Sequence, residues 1–294
     1  MRAVDGQTLP MKSVLITGVS TGIGRGIASV LAGAGWRVFG SVRSAADAEK
    51  FEAELGSKAE ALVFDVTDCE AISAAAAHVE TELGDQGLDA LVNNAGISVV
   101  GPIEHVPLDR LRTQLEVNVV GLVAVTKAFL PLLGSLGRPR KKPGRIINIS
   151  SVSGRRALPF FGPYAASKFA VEALTDSMRR ELVVHGIDVI AIEPGPIKSE
   201  IWGKAQVDGM GLEATPYAPA LAAIQKLAAR SVERALPAED VGRLALRLLN
   251  HPRPPVRTVI QRGGIWPFLA QSLPPARMLD GMIARRLGLK RRKS

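Results

Sequence analysis

"VLITGVSTGIGRGIA" runs from Val14 to Ala28. An apolar run of strand length reaches Thr17, and glycines follow at 18, 22 and 24 before a helical stretch begins. A strand that turns into a helix through glycine leaves the first helical amides unpaired at the positive end of the helix dipole. That arrangement suits a pyrophosphate. The order G-x-x-x-G-x-G differs from the G-x-G-x-x-G of many dinucleotide turns, yet each glycine has a place in such a turn. Gly18 can make the tight bend, Gly22 can let backbone approach phosphate, and Gly24 can let helix and strand pack closely, with Ser20, Thr21 and Ile23 completing the cradle. No Lys-Ser or Lys-Thr follows Gly24, which argues against a mononucleotide P-loop. Alone, the stretch also fits an ordinary glycine-rich strand–helix turn.

Outward from it, strand-length apolar runs at 13–17, 37–42, 60–66, 88–95, 145–150, 188–194 and 257–261 alternate with helix-length segments. Several runs are unbroken rather than alternating, as in strands covered on both faces. The expectation is an α/β fold: a single-domain, Rossmann-type, doubly wound parallel sheet of about seven strands with helices on both faces. It occupies residues 13–262, with an N-terminal arm at 1–12, a lid at about 198–217, and a basic amphipathic C-terminal extension at 263–294. The apolar window 117–133 contains Asn118, Lys127 and Pro131 and reads as a buried helix rather than a membrane span.

Charge is local. The net +9 is exceeded by the cations of 138–145 together with the tail 275–294, so the rest of the chain is slightly acidic. Aromatic content of 4% offers few stacking platforms, which argues against a nucleic-acid partner. The loop 134–144 reads as an exposed basic insertion. A single cysteine, Cys69, excludes an internal disulfide framework and suits a reducing, cytoplasmic setting. The N-terminus has no signal-peptide pattern. The four histidines are scattered without ligand spacing, so no metal is expected.

About twenty residues past the glycine turn, the chain reads "FGSVRS". Val42 stands where an acid would hold the ribose of NAD, and Arg43 follows. A neutral residue and an arginine suit the 2′-phosphate of NADP(H), which is favoured over NAD(H). The competing reading gives the ribose to Asp47. Further on, "PYAASKFAVEAL" sets Tyr164 and Lys168 four apart on one helical face. An ammonium beside a phenol would bring its pKa down from about 10 and make it a usable acid–base. Thirteen residues before Tyr164, Ser151 ends a strand at the sheet edge where ligands gather, with Ser150 and Ser153 as competitors.

Together these stretches resemble the short-chain dehydrogenase/reductase family: "TGVSTGIG" (17–24), "DV" (65–66), "NNAG" (93–96), "VNVVG" (117–121), "ISSVSG" (149–154), "YAASK" (164–168) and "PGPIKS" (194–199) occur in its order. The resemblance implies that Tyr164 exchanges a proton with the substrate oxygen and that Lys168 lowers its pKa and binds the nicotinamide ribose. Ser151 would polarise the substrate oxygen, and Asn118 would anchor a relay water to Lys168. Asn93, Ala95 and Gly96 would stabilise the sheet and line the adenosine side, Asp65 and Val66 would lie at the adenine, and Pro194, Gly195, Ile197 and Ser199 would border the nicotinamide. It also implies a homodimer or homotetramer. The runner-up functions are an NAD(H)-dependent member and a non-catalytic nucleotide-sensing protein.

The patterns "FGSVR" and "EPGPIKS" are similar to hydroxysteroid and retinol dehydrogenases. Apolar residues near the site (Leu158, Phe161, Ile201 and Trp202, beside Ser151 and Tyr164) lead to the expectation of a small, apolar, steroid- or retinoid-like substrate. In the tail, Met278, Leu279, Met282, Ile283 and Leu287 share a helical face, with Arg277, Arg285 and Arg286 placed off it. Two readings follow: a peripheral anchor on an anionic membrane surface, or a helix covering the pocket or a neighbouring subunit.

Overall fold

The structure is a computed structural model, and it describes residues 11–136, 138, 140–199, 212–264 and 275–289. The strands are β1 (Ser13–Ile16), β2 (Arg37–Val42), β3 (Ala59–Val63), β4 (Ala90–Asn93), β5 (Arg145–Ile149), β6 (Asp188–Pro194) and β7 (Arg257–Ile260). They form one parallel sheet in the order β3-β2-β1-β4-β5-β6-β7. The order reverses between β1 and β4, which opens a crevice at their C-terminal ends. Most strands stop short of the expected run, β3 by three residues and β4 by two at each end. The residues beyond the C-terminal ends of β3 and β4 leave the ladder to border the crevice.

Side-chain alternation divides the core. Val14, Ile16, Val38, Val92 and Ile147 pack under α1 (Gly22–Gly33) and α8 (Ala238–Asn250). Leu15, Phe39, Leu91 and Ile146 face α3 (Cys69–Leu83) and α5 (Gly121–Leu133) on the other side. The remaining helices are α2 (Ala45–Leu55), α4 (Leu108–Leu115), α6 (Gly162–Glu181), α7 (Ala218–Glu233) and α9 (Ala276–Leu287). A π-helical turn, Glu116–Val120, joins α4 to α5. The joined helix 108–133 is long and apolar enough to cross a membrane, but Val125, Phe129 and Leu133 are fully buried in the core, as expected for that window.

The 138–145 segment exposes Lys141 and Lys142, as expected, but part of its charge is paired: Arg138 pairs with Glu80, and Arg140 donates to the Leu88 carbonyl and lies 3.2 Å from Asp89. Arg145 donates to the carbonyls of Leu248 and Leu249, both at 3.0 Å, and so closes the end of α8. Three of its cations therefore stabilise chain ends and turns. The C-terminal segment also folds back: Leu287 is buried in a cluster with Phe160, Leu212 and Leu221, so α9 belongs to the body of the fold.

Candidate active site

Gly18 and Gly22 have φ of +71° and +61°, a region that L side chains enter at a cost. A Cβ on Gly24 would stand 2.2 Å from the Gly18 carbonyl oxygen and 2.4 Å from Asn94 Nδ2, so only glycine allows α1 to start this close to the turn. The turn is held from both sides. Asn94 Nδ2 donates to the carbonyls of Thr17 and Gly18 at 2.8 and 3.0 Å, and Thr17 Oγ1 accepts from the amides of Asn94 and Ala95. From β2, Ser41 Oγ accepts from the Gly18 amide at 3.0 Å.

An elongated cavity of about 450 Å³ follows this turn across the sheet edge. At one end are Arg43, Asp65 and Val66. The middle is bordered by Gly18, Ser20, Thr21, Gly22 and Ile23, with Ala95 and Gly96 opposite. Ser151, Tyr164 and Lys168 meet Pro194, Gly195, Ile197 and Ser199 at the other end. Gly24 is absent from the lining, since it works by packing; one expected ligand contact, Asn93, is corrected, and the competing reading for Asp47 finds no support. Asn93 faces the core, donating to Thr126 Oγ1 and Asn148 Oδ1 at 2.9 Å each. Its neighbour Asn94 is the one that reaches the turn. Asp47 serves the first turn of α2 instead of the cavity, with its amide and carboxylate bonded to Ser44 Oγ. The lining also includes Ser41, Ser98 and Arg110, which sequence reasoning missed because no motif surrounds them.

At the reactive end, Ser151 Oγ accepts from the Ser153 amide at 3.0 Å and is hydrogen-bonded to Tyr164. Ser150, one of its competitors, is packed beneath Gly154, where an added Cβ would lie 2.7 Å from its Oγ. Burial pushes the Tyr164 phenol up from its ordinary value, and the Ser151 hydrogen bond opposes this. The expected lowering by Lys168 is not what acts on Tyr164 here. Lys168 Nζ donates to the Ile149 carbonyl at 2.8 Å and sits 5.9 Å from the phenol ring centroid. Burial brings Lys168 down to about 8, and the Glu172 carboxylate one turn along α6 holds it up. Asn118 is likewise spent: its side chain bonds the Ile97 amide and carbonyl and Ser167 Oγ.

Behind Lys168 lies a charge network that no sequence motif marks. Glu172 Oε2 accepts from Arg257 Nε at 2.8 Å, and Arg257 also pairs with Asp176 at 2.8 Å. Arg257 and Arg179 hold Asp176 down to about 2. Glu193, fully buried, lies 2.8 Å from Arg155, and burial together with Glu172 pushes its carboxyl up.

A second cavity of about 540 Å³ adjoins the first. Leu158, Phe161, Ile224, Leu227 and Leu279 give it an apolar lining, and its inner end carries Ser151 and Ser153. Ser151, Pro194, Gly195 and Ile197 border both cavities. Of the expected substrate contacts, Ser151, Leu158 and Phe161 line this second cavity and Tyr164 the first, whereas Ile201 and Trp202 lie outside the described residues. The apolar stripe of α9 (Leu279, Met282, Ile283 and Leu287) faces this cavity, which favours the pocket-covering reading of the tail. Residues 290–293, the basic end of the membrane reading, lie outside the described residues.

Residues 12–208 match the family described as short chain dehydrogenase. The chain belongs to that family. Among relatives of this short-chain dehydrogenase, the NADPH-dependent 3-dehydrocapnine reductase of Ornithobacterium rhinotracheale is 42% identical over 270 residues, covering 92% of this chain and 95% of that protein. Human retinol dehydrogenase 16 is 40% identical over 194 residues, covering 66% of this chain and 59% of the human one. Among solved structures, a short-chain dehydrogenase from Streptomyces avermitilis superposes with a TM-score of 0.75 at 28% identity, covering 96% of this chain and 98% of that one.

Proposed function

We propose that this short-chain dehydrogenase is an NADPH-dependent oxidoreductase that interconverts a carbonyl and an alcohol on a substrate with an apolar body. The observation that carries this reading is the shared wall: an elongated cradle and an apolar cavity meet at Ser151, Pro194, Gly195 and Ile197. The cradle fits a dinucleotide because its bend is made of glycines whose Cβ atoms would crowd it. A Cβ on Gly22 would stand 3.0 Å from that of Ser199, across the channel. Ser20 to Ile23 would hold the pyrophosphate and Arg43 the 2′-phosphate, and the NADPH dependence in the name of the Ornithobacterium relative points the same way. When bound, the nicotinamide supplies or accepts the hydride.

The chain's own residues then move one proton. In the reducing direction, Ser151 donates a hydrogen bond to the carbonyl oxygen and fixes it beside the Tyr164 hydroxyl. Tyr164, a phenol that burial further disfavours from ionising, gives its proton to that oxygen as the alcohol forms. Lys168 as an ammonium stabilises the phenolate that remains and binds ribose hydroxyls. The apolar wall excludes water around the reacting carbon.

The test is a carbonyl panel assayed with NADPH and NADH. It is headed by 3-dehydrocapnine and followed by retinoids, ketosteroids and alkyl ketones, with absorbance of the reduced cofactor as the readout. An active wild type should lose about a thousandfold in kcat on Tyr164→Phe while binding NADPH as before. Retained turnover in that variant would refute the mechanism, and activity confined to sugars and polyols would refute the apolar substrate.

A further inference from the structure

One cation interrupts the apolar face of α9. Leu279, Met282, Ile283, Arg286 and Leu287 all line the second cavity, and they recur at spacings of three and four, so they form one helical stripe. The sequence reading placed Arg286 off this stripe, although Arg286 follows Leu279 by seven residues and so shares its face. In the structure Met278 is 56% exposed and outside the cavity lining, while Arg286 is within it. Among the described residues Arg286 is the charged member of a lining that is otherwise aliphatic, aromatic or hydroxyl-bearing.

The helix-dipole explanation covers a cation anywhere in the last turn; both arginines there are exposed, and Arg285, outside the cavity lining, already meets that need. It does not account for a cation on the face turned to the cavity. An arginine stem can lie along the Met282 and Leu287 side chains and hold its guanidinium where the apolar wall meets water. There, a planar fork of donors matches the oxygens of a carboxylate, sulfonate or phosphate ester.

We infer that Arg286 binds an acidic group of the substrate, which is therefore an anionic amphiphile: an apolar body that fills the cavity, a carbonyl presented to Ser151, and an acid held by Arg286. The inference rests on the reading of this cavity as the substrate site.

The test reads binding, so it does not need turnover. Calorimetric titration of the full chain with decanoate and with decanol gives a ratio of dissociation constants that isolates the acid. The wild type should prefer decanoate by about tenfold, and Arg286→Gln should bring the ratio close to one, with Arg286→Lys retaining part of it. Half-molar salt should also erode the wild-type preference, which keeps the test valid if a variant folds poorly. Equal binding of the two ligands by the wild type, no binding of either, or a preference that survives in Arg286→Gln would each overturn the inference. Preferred binding of decanoate without reduction of any ketone in the panel would instead count against the proposed reaction and leave Arg286 as an acid-binding residue.

Discussion

Replacing Glu172 by glutamine removes one negative charge from the turn after Lys168 and keeps an oxygen that can accept from Arg257. Side chains four apart on a helix stand about 6 Å from one another, where two unit charges interact by about 3 kcal/mol at an effective dielectric near 20. Arg257, 2.8 Å from Glu172 Oε2, neutralises much of that field, leaving about 1 kcal/mol at Lys168, or roughly a fivefold effect. The direction follows from the folded value of Lys168, about 8 against an ordinary 10.5. Protonated Lys168 therefore destabilises the free fold, by about 3 kcal/mol at and below neutral pH. That cost fades as pH rises from 8 towards 10.5. A ligand whose ribose oxygens accept from the ammonium has the opposite effect: it binds the protonated form better.

NADPH affinity should consequently fall as pH rises above 8, by at most about tenfold per unit, because binding must take up a proton. Without the Glu172 charge, Lys168 loses its proton more easily and the decline begins nearer neutrality. The assay is NADPH fluorescence titration across the range from about pH 6 to about pH 10, with thermal melts to verify folding at each point. At about pH 6 the two proteins should agree within about twofold, and at about pH 8.5 Glu172→Gln should bind about fivefold more weakly. Superimposable pH profiles would refute the electrostatic role. A loss equal at every pH would refute it too, since that is what a purely structural defect produces.

Other outcomes follow from the cradle. Arg43→Gln should cut the preference for NADPH over NADH by about ten- to hundredfold, the worth of one or two charge-assisted hydrogen bonds, as read from the two Kd values. Gly24→Ala should cost about 3 kcal/mol and lower Tm by about 5–10 °C, because its Cβ would meet backbone 2.2 Å away. Gly33→Ala, at the end of the same helix with open space around it, should instead be neutral or slightly stabilising.

The sheet was legible because each strand is a short apolar run and the helices between them keep a helical period. The ladder ends were misjudged, most of all at Phe64–Val66 and Asn94–Ala95, where the chain continues past the last backbone bond to border the crevice. The motif residues of the cradle were legible for the same reason that they are motifs: glycine is needed where a Cβ would collide, and the collision is local to the turn. Asn93 and Asn94 show the limit of this. Both carry the same side chain, and one residue of strand register sends the first to Thr126 and the second to Gly18.

What composition and spacing could not show is how distant segments meet. Glu172 and Arg257 are 85 positions apart and join because β7 pairs with β6 beside α6. Neither residue has a neighbour in sequence that hints at the other. Arg286 is a similar case at smaller scale. On paper the tail offers an amphipathic helix whose apolar face could be centred on Met278 or on Leu279, and those choices differ by one residue, or 100° of rotation. The first takes in Arg285, seven residues after Met278; the second takes in Arg286, seven residues after Leu279. Packing decides between them: Leu287 must enter the cluster with Phe160 and Leu221, and Ile283 rests against it, so the helix turns Met278 to solvent. The rotation that buries Leu287 is thus the same one that brings a cation to the rim of the apolar cavity. A substrate that satisfied the cavity but ignored the rim would leave that guanidinium without the partner its position is suited to hold.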